Sequence, residues 1–227
     1  MKISGIQKLS LVDYDGHIGA TIFVSGCNFA CPFCHNAGLV AGTESQIDTN
    51  DILEYLQKRF GLLEAVIISG GEPTLYPDLP KFIEQIKKMG YLVKLDSNGT
   101  NPEMIKYLYE NHLIDYIAMD IKNSFEKYPT ITNKNCDIEK IKQSIKYIMS
   151  CGIDYEFRTT LVAEFFDEND IKKIGKNIAQ AKRYYLQKFE DSGNCISQGL
   201  HAIPKAQALE FLKILAKTIP NTKLRGY

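Results

Sequence analysis

The chain has 227 residues, 44% of them hydrophobic, enough to bury a sizeable core as one domain spanning 1–227. Lys plus Arg match Asp plus Glu at 27 each, so the net charge is zero and nothing calls for a nucleic acid or an anionic membrane surface as partner. No apolar run approaches the ~20 residues of a membrane span and no secretory signal is visible, so the protein is expected to be cytoplasmic, with its six cysteines free, catalytic or metal-binding rather than disulfide-paired.

Residues 1–18 read as an extension. Weak alternation over 2–12 predicts a strand or hairpin at a sheet edge or at the mouth of a barrel. From 19 to 227, β-branched runs alternate with amphipathic ones. Strands are expected at 20–24, 65–69, 91–96, 116–121, 155–161 and, more weakly, 183–187, where the signal rests on Tyr184 and Tyr185. Between and after them fall helical patterns at 51–60, 78–89, 103–111, 138–148, 168–179 and 205–218. Leu79, Phe82, Ile83 and Ile86 share one helix face, as do Ile138, Ile141, Ile145 and Ile148. Asn50, Asn101 and Asp137 are candidate N-caps, and Gly90 and Gly152 stand at helix ends. Successive βα units argue for an α/β fold, a parallel sheet with helices outside. Doubly wound and barrel-like closure both satisfy this pattern.

Directly after the first of these strands comes Ser-Gly-Cys-Asn-Phe-Ala-Cys-Pro-Phe-Cys-His-Asn, residues 25–36. It places Cys27, Cys31 and Cys34 in C-x3-C-x2-C spacing on a loop at a strand's C-terminal end, where α/β folds gather ligands. Thiolates are the ligands iron–sulfur clusters favour, and three of them leave one iron of a [4Fe–4S] cluster open to substrate. Zinc would need a fourth ligand, and His35 abuts Cys34 awkwardly for that task. A redox dithiol, Cys31-Pro-Phe-Cys34, would leave Cys27 unexplained. Three cysteines clustered by chance is the remaining alternative.

The cysteine run resembles the C-x3-C-x-φ-C signature of the radical S-adenosylmethionine superfamily, with Phe33 as the aromatic φ. Gly70-Gly71-Glu72-Pro73, after the next strand, is similar to that superfamily's G-G-E-P motif. The resemblance implies contact with the methionine amino group of the cofactor. Paired glycines let backbone approach a ligand and a carboxylate suits an ammonium, although Gly-Gly and Pro also make ordinary turns. Asp96-Ser97-Asn98-Gly99 and the Asp120-x-Lys122 stretch resemble the activating enzymes of glycyl-radical proteins. There the likeness implies that Asp96, Ser97 and Asn98 line the ribose or methionine carboxylate, and that Asp120 joins Asp96 around a monovalent cation. A capping turn and a strand-end ion pair are the plainer readings. Arg158, mid-strand among apolar residues, needs an anionic partner, either a cofactor carboxylate or an acid on a neighbouring strand. Gln187 closes the sixth expected strand, where family members carry a comparable Gln.

The opening residues 3–14 are similar to the start of anaerobic ribonucleoside-triphosphate reductase activating proteins, with Asp15 where those carry Pro. Cys34-His35-Asn36 is shared with pyruvate formate-lyase activating enzyme. The resemblance implies a partial (β/α)6 barrel. It further implies a [4Fe–4S] cluster that, once reduced, cleaves S-adenosylmethionine to methionine and a 5′-deoxyadenosyl radical. That radical would abstract hydrogen from a glycine on a large glycyl-radical enzyme, anaerobic ribonucleoside-triphosphate reductase being the expected partner. A flavodoxin or ferredoxin is the expected electron donor. A pyruvate formate-lyase-type activator, a small-molecule radical enzyme and a non-catalytic iron–sulfur or zinc protein are the alternatives. Cys136 and Cys151 read as packing or free thiols. Cys195, in the polar loop 190–197, is placed on the active-site side, and His17, His112 and His201 read as surface or loop residues.

Overall fold

A computed structural model describes residues 1–191 and 193–227; Ser192, within the 190–197 loop, lies outside the described residues. The strands are β1 (Ile3–Ser10), β2 (Gly19–Val24), β3 (Ala65–Gly70), β4 (Leu92–Ser97), β5 (Tyr116–Asp120), β6 (Asp154–Leu161), β7 (Tyr184–Lys188) and β8 (Thr222–Arg225). They form one sheet in the order β1-β2-β3-β4-β5-β6-β7-β8. β1 runs antiparallel to β2 and every later neighbour is parallel. A doubly wound sheet reverses its strand order at a switch point, and this one never does. The sheet instead curls on itself: Asp15, just before β2, lies 3.7 Å from Arg225 on β8. The result is a barrel left open between its first and last strands.

The six expected strands lie within one residue of β2 to β7 at each end. β8 is additional. It has only four residues, and Lys223 and Arg225 interrupt any apolar run. Helices are α1 (Ala37–Ala41), α2 (Thr49–Arg59), α3 (Leu79–Lys88), α4 (Pro102–Glu110), α5 (Tyr128–Thr132), α6 (Ile138–Ser150), α7 (Glu168–Asn177) and α8 (Lys205–Leu215). Asn101 and Asp137 cap α4 and α6 through their side chains, as expected. At α2 the cap is Asp48 rather than Asn50, whose own N–H donates to Asp48 Oδ1 at 2.7 Å.

Side chains alternate across each strand, and here the two faces differ in kind. Val66, Ile68, Val93, Leu95, Ile117, Met119, Phe157 and Leu186 face the helices and are buried. The inner face carries Lys94, Asp96, Asp120, Glu156, Arg158 and Arg225, linked to one another by ion pairs. The β1–β2 connection closes the end of the barrel below these charges. Tyr14 packs on Tyr116 with ring centroids 5.1 Å apart. Lys94 lies over both rings and donates to the Asp13 carbonyl. Of the two places expected for the extension, β1 takes the sheet edge rather than the mouth, and its loop, preceding β2, forms the floor opposite the cysteine loop. Among the described residues no helix is long and apolar enough to cross a membrane.

Candidate active site

The cysteine loop leaves the top of β2 and is tied down on all sides. Ser25 N–H donates to Lys2 O at 3.0 Å, Gly26 N–H to Leu39 O at 2.7 Å and Ala30 N–H to Thr132 O at 2.8 Å. Tyr76 Oη donates to Ser25 O at 2.6 Å. Asn28 accepts from Asn98 Nδ2 at 2.8 Å and donates to Thr100 Oγ1 at 2.9 Å. The three thiols are thus presented by a preformed loop. Cys31 is buried and Cys27 and Cys34 are half-buried.

Burial pushes the Cys27 thiol up to about 12 and raises Cys31 as well. Such thiols become thiolates only when a strongly cationic group binds them. Among the described residues no three His, Cys, Asp or Glu side chains converge on a single-ion site. Burial also lowers His35, next to Cys34.

The glycines of 70–73 are explained by the cysteine loop itself. Gly70 has φ +108°, and a Cβ there would stand 2.5 Å from the Val24 backbone. A Cβ on Gly71 would stand 2.0 Å from the Gly26 carbonyl oxygen. Glu72 is fully buried, and both its oxygens are engaged. Oε1 accepts from Thr74 N–H (3.1 Å), Thr74 Oγ1 (2.5 Å) and Ser97 Oγ (2.9 Å), and Oε2 accepts from Asn98 N–H at 2.6 Å. The Glu72 carboxylate, expected to face the cofactor's ammonium, is here held by Thr74, Ser97 and Asn98. Glu72 is a bracket that locks the loops after β3 and β4 together, and burial raises its pKa. Pro73 is buried and opens the short 3-10 turn Pro73–Leu75. Ser97 is buried, and Asn98 braces Asn28 while standing 3.9 Å from Cys27 Sγ. Phe33 is buried against Phe165, ring centroids 6.0 Å apart, so it packs the loop.

On the inner face just below, four charges form a chain. Asp96 Oδ2 accepts from Ser69 Oγ at 2.9 Å and from Arg158 Nη1 at 3.2 Å. Arg158 Nε donates to Asp120 Oδ1 at 3.0 Å, and Lys122 Nζ donates to Asp120 Oδ2 at 2.9 Å. The Arg158 guanidinium thus stands between Asp96 and Asp120, the pair expected to flank a monovalent cation. Burial would raise Asp120, but Arg158 and Lys122 outweigh it and hold the carboxyl down at about 2. Asp96 Oδ1 is buried and makes no hydrogen bond, its one charged neighbour being Lys94 Nζ at 4.0 Å. Gln187 shares this face but is set in register with Thr160 and Arg225, away from the chain of four.

Sequence reasoning missed Asn28, Ser69, Lys94, Glu156 and Arg225. The signal was available in Lys94/Asp96 and Glu156/Arg158, charged pairs two residues apart in apolar strands, which mark one polar sheet face. Cys195 does sit on the active-site side. Its Sγ is 3.9 Å from Phe33 O, Ile196 N–H donates to Cys34 O at 3.1 Å and Ser197 N–H to Pro32 O at 2.8 Å. Cys151, at the end of α6, packs against the core.

Residues 21–176 match the model of the Radical SAM superfamily. The chain belongs to the radical SAM superfamily. It is 36% identical, over 98% of its own length and 95% of the relative's, to a Methanocaldococcus jannaschii protein described as a glycyl-radical enzyme activating enzyme. It is 31% identical to the pyruvate formate-lyase-activating enzyme of Listeria monocytogenes over 59% of this chain and 58% of that enzyme. The fold matches Streptococcus suis SuiB bound to S-adenosylmethionine with a TM-score of 0.70 at 14% identity, covering 89% of this chain and 49% of that one. As a radical SAM enzyme it uses a [4Fe–4S] cluster and S-adenosylmethionine, the cofactors of the superfamily. The three loop thiols, and an Asp96 Oδ1 that makes no hydrogen bond while Arg158 holds the other oxygen, fit that pair of groups.

Proposed function

We propose that this radical SAM enzyme generates a glycyl radical on a large partner, anaerobic ribonucleoside-triphosphate reductase. The observation that carries the reading is the end-to-end similarity to the M. jannaschii protein of the activating-enzyme description. The likeness of residues 3–14 to the reductase-activating group supports the choice of partner. The floor fits as well. Tyr14, Lys94, Glu156 and Arg225 fill the lower barrel with mutually paired side chains, so chemistry is confined to the mouth, where a partner's polypeptide can reach it.

In this reading Cys27, Cys31 and Cys34 hold the cluster, leaving one iron without a protein thiolate. A reduced cluster with S-adenosylmethionine bound there would supply radical chemistry by reductive cleavage of the cofactor, directed at a glycine Cα–H of the partner. The chain's own groups orient and protect. Asp96 Oδ1 accepts from a ribose hydroxyl or the methionine ammonium, and Arg158 and Lys122 turn their charge toward the methionine carboxylate. Gly70 and Gly71 keep the next loop pressed on the cysteine loop, and Glu72, Ser97 and Asn98 hold that contact rigid. Phe33 and Pro73 pack the rim, and Gln187 lies on the same inner face on β7. A flavodoxin or ferredoxin delivers the electron.

The test is 5′-deoxyadenosine release and electron paramagnetic resonance after anaerobic reconstitution, with dithionite, S-adenosylmethionine and the candidate reductase. A protein-centred glycyl signal that is absent with Cys34→Ala is expected. Cofactor cleavage that yields a glycyl signal only with a formate-lyase-type partner, or only in the presence of a metabolite, would replace the reductase in this reading.

A further inference from the structure

Asn98 follows β4, and its side chain is turned toward the cysteine loop. The residue is buried, 5% exposed, and its backbone N–H is taken by Glu72 Oε2 at 2.6 Å. The orientation of its carboxamide is fixed by a group that can only donate. Thr100 N–H donates to Asn98 Oδ1 at 3.0 Å, and Thr100 Oγ1 donates to the same oxygen at 2.7 Å. The Nδ2 group must then face the other way, with two hydrogens to place. One goes to Asn28 Oδ1 at 2.8 Å. The other meets Cys27 Sγ at 3.9 Å. Phe29 N–H reaches the same sulfur at 3.4 Å. Among the described residues neither Cys31 Sγ nor Cys34 Sγ receives a hydrogen bond, so the three thiols are unequal and Cys27 is the one met by donors. A thiol accepts weakly, and the same contact strengthens once the sulfur is a thiolate.

We propose that Asn98 is a positioning residue for the cluster, donating its second amide N–H to the Cys27 sulfur and so raising the reduction potential of the group held by Cys27, Cys31 and Cys34. The inference rests on the cluster reading of that loop. Reduction by one electron adds negative charge to the thiolate-bound group, and a donor fixed beside a ligand sulfur stabilises the reduced form more than the oxidised one. Thr100 and Asn28 already hold the amide, so little ordering is left to offset that gain. Asn28 separates this role from simple bracing. Its Oδ1 takes the first amide hydrogen and its Nδ2 donates to Thr100 Oγ1 at 2.9 Å, so its side chain ties the same two loops together without bonding a sulfur. Bracing alone predicts that losing either asparagine has the same effect. Donation to sulfur predicts that the potential follows Asn98.

The experiment is a dye-mediated redox titration of the full-length reconstituted protein with dithionite, without S-adenosylmethionine, read by electron paramagnetic resonance of the reduced cluster. At a fixed solution potential, Asn98→Ala is expected to lower the reduced-to-oxidised ratio about fivefold, about 40 mV at about 59 mV per tenfold change for one electron. Asn28→Ala stays within about twofold of the parent, a shift of less than about 20 mV. Thr100→Val removes the hydroxyl bond that helps to aim the amide, and lowers the ratio by less than Asn98→Ala does. Asn98→Ala titrating with the parent at equal iron and sulfide content overturns the proposal. So does an equal shift in Asn98→Ala and Asn28→Ala. Where Asn98→Ala fails to hold a cluster, Thr100→Val decides the matter: a ratio below that of Asn28→Ala supports donation to sulfur, and a ratio equal to it or above overturns the proposal. A parent protein that takes up no [4Fe–4S] cluster overturns the cluster reading itself, a result distinct from an unmoved potential.

Discussion

At the floor of the barrel every charge has a partner. Lys94 meets Glu156 and the Asp13 carbonyl, Glu156 also accepts from Tyr116 and Arg225, and Arg225 stacks 3.8 Å over the Tyr185 ring. At the mouth, burial drives up the pKa of two thiols, Asp96 Oδ1 makes no hydrogen bond, and Gly71 admits a carbonyl where a side chain would stand. One end is thus closed by satisfied interactions, and the other is held rigid around groups that the protein alone leaves unsatisfied. Strain and unmet polar groups collect where a ligand is to be received. The contrast predicts that damage at the floor will register as lost stability, and damage at the mouth as lost cofactor.

The largest effect should come from Gly71→Ala. A methyl 2.0 Å from the Gly26 carbonyl oxygen meets Gly26 backbone, with no flexible side chain to give way. The cysteine loop must move, and iron incorporation on reconstitution should fall severalfold or more, alongside a stability loss of about 3 kcal/mol. Full iron content in this variant would break the claim that the glycines serve the cysteine loop. Next comes Lys94→Met at the floor. It strands the Glu156 carboxylate with one fewer cation in a site that is 2% exposed, an arrangement that costs about 3 kcal/mol. Chemical denaturation measures it, and iron uptake should match the parent in whatever fraction folds. A loss of iron without a loss of stability would erase the distinction between the two ends.

Much of this was legible in the residues. The outer face announced itself, because apolar side chains at helical and strand periods must meet each other, and six strands and their helices followed from that. The cysteine spacing and Gly70–Gly71 marked the mouth. Two kinds of feature stayed hidden. Glu72 looked like a ligand-facing acid, since a sequence cannot show that Thr74, Ser97 and Asn98 already surround it. Arg158 had two readings until the sheet order set Asp120 beside it and Asp96 one strand further on. Both depend on long-range register, which local pattern does not carry. β8 was missed for the same reason: its Lys223 and Arg225 belong to an inner face that only barrel closure defines.

The acid behaviour of the mouth sharpens the comparison. Asp120 is held at about 2, below its ordinary 3.8, after Arg158 and Lys122 overcome its burial. A depressed carboxyl adds stability that is fully present above the unfolded value and is lost as pH falls through the folded one. The cofactor-free protein should therefore lose about 2 kcal/mol from this group between pH 5 and pH 2. Asp120→Asn should flatten that part of the stability–pH curve, as followed by urea denaturation at each pH. An unchanged slope in the variant would mean that the four charges of the chain do not act together.

The smallest effect is expected where the two ends of the open sheet meet. The Asp15 carboxylate lies 3.7 Å from Arg225 while 68% exposed. An exposed ion pair at that distance contributes about 0.5 kcal/mol or less, and salt screens it. Arg225 also does not depend on it, since Glu156 and the Tyr185 ring hold the guanidinium from the other side. Asp15→Asn should accordingly shift stability by less than about 0.5 kcal/mol and leave iron content unchanged. A loss nearer 2 kcal/mol, abolished by high salt, would show instead that this contact closes the barrel. The floor would then depend on one exposed charge rather than on the paired groups beneath it.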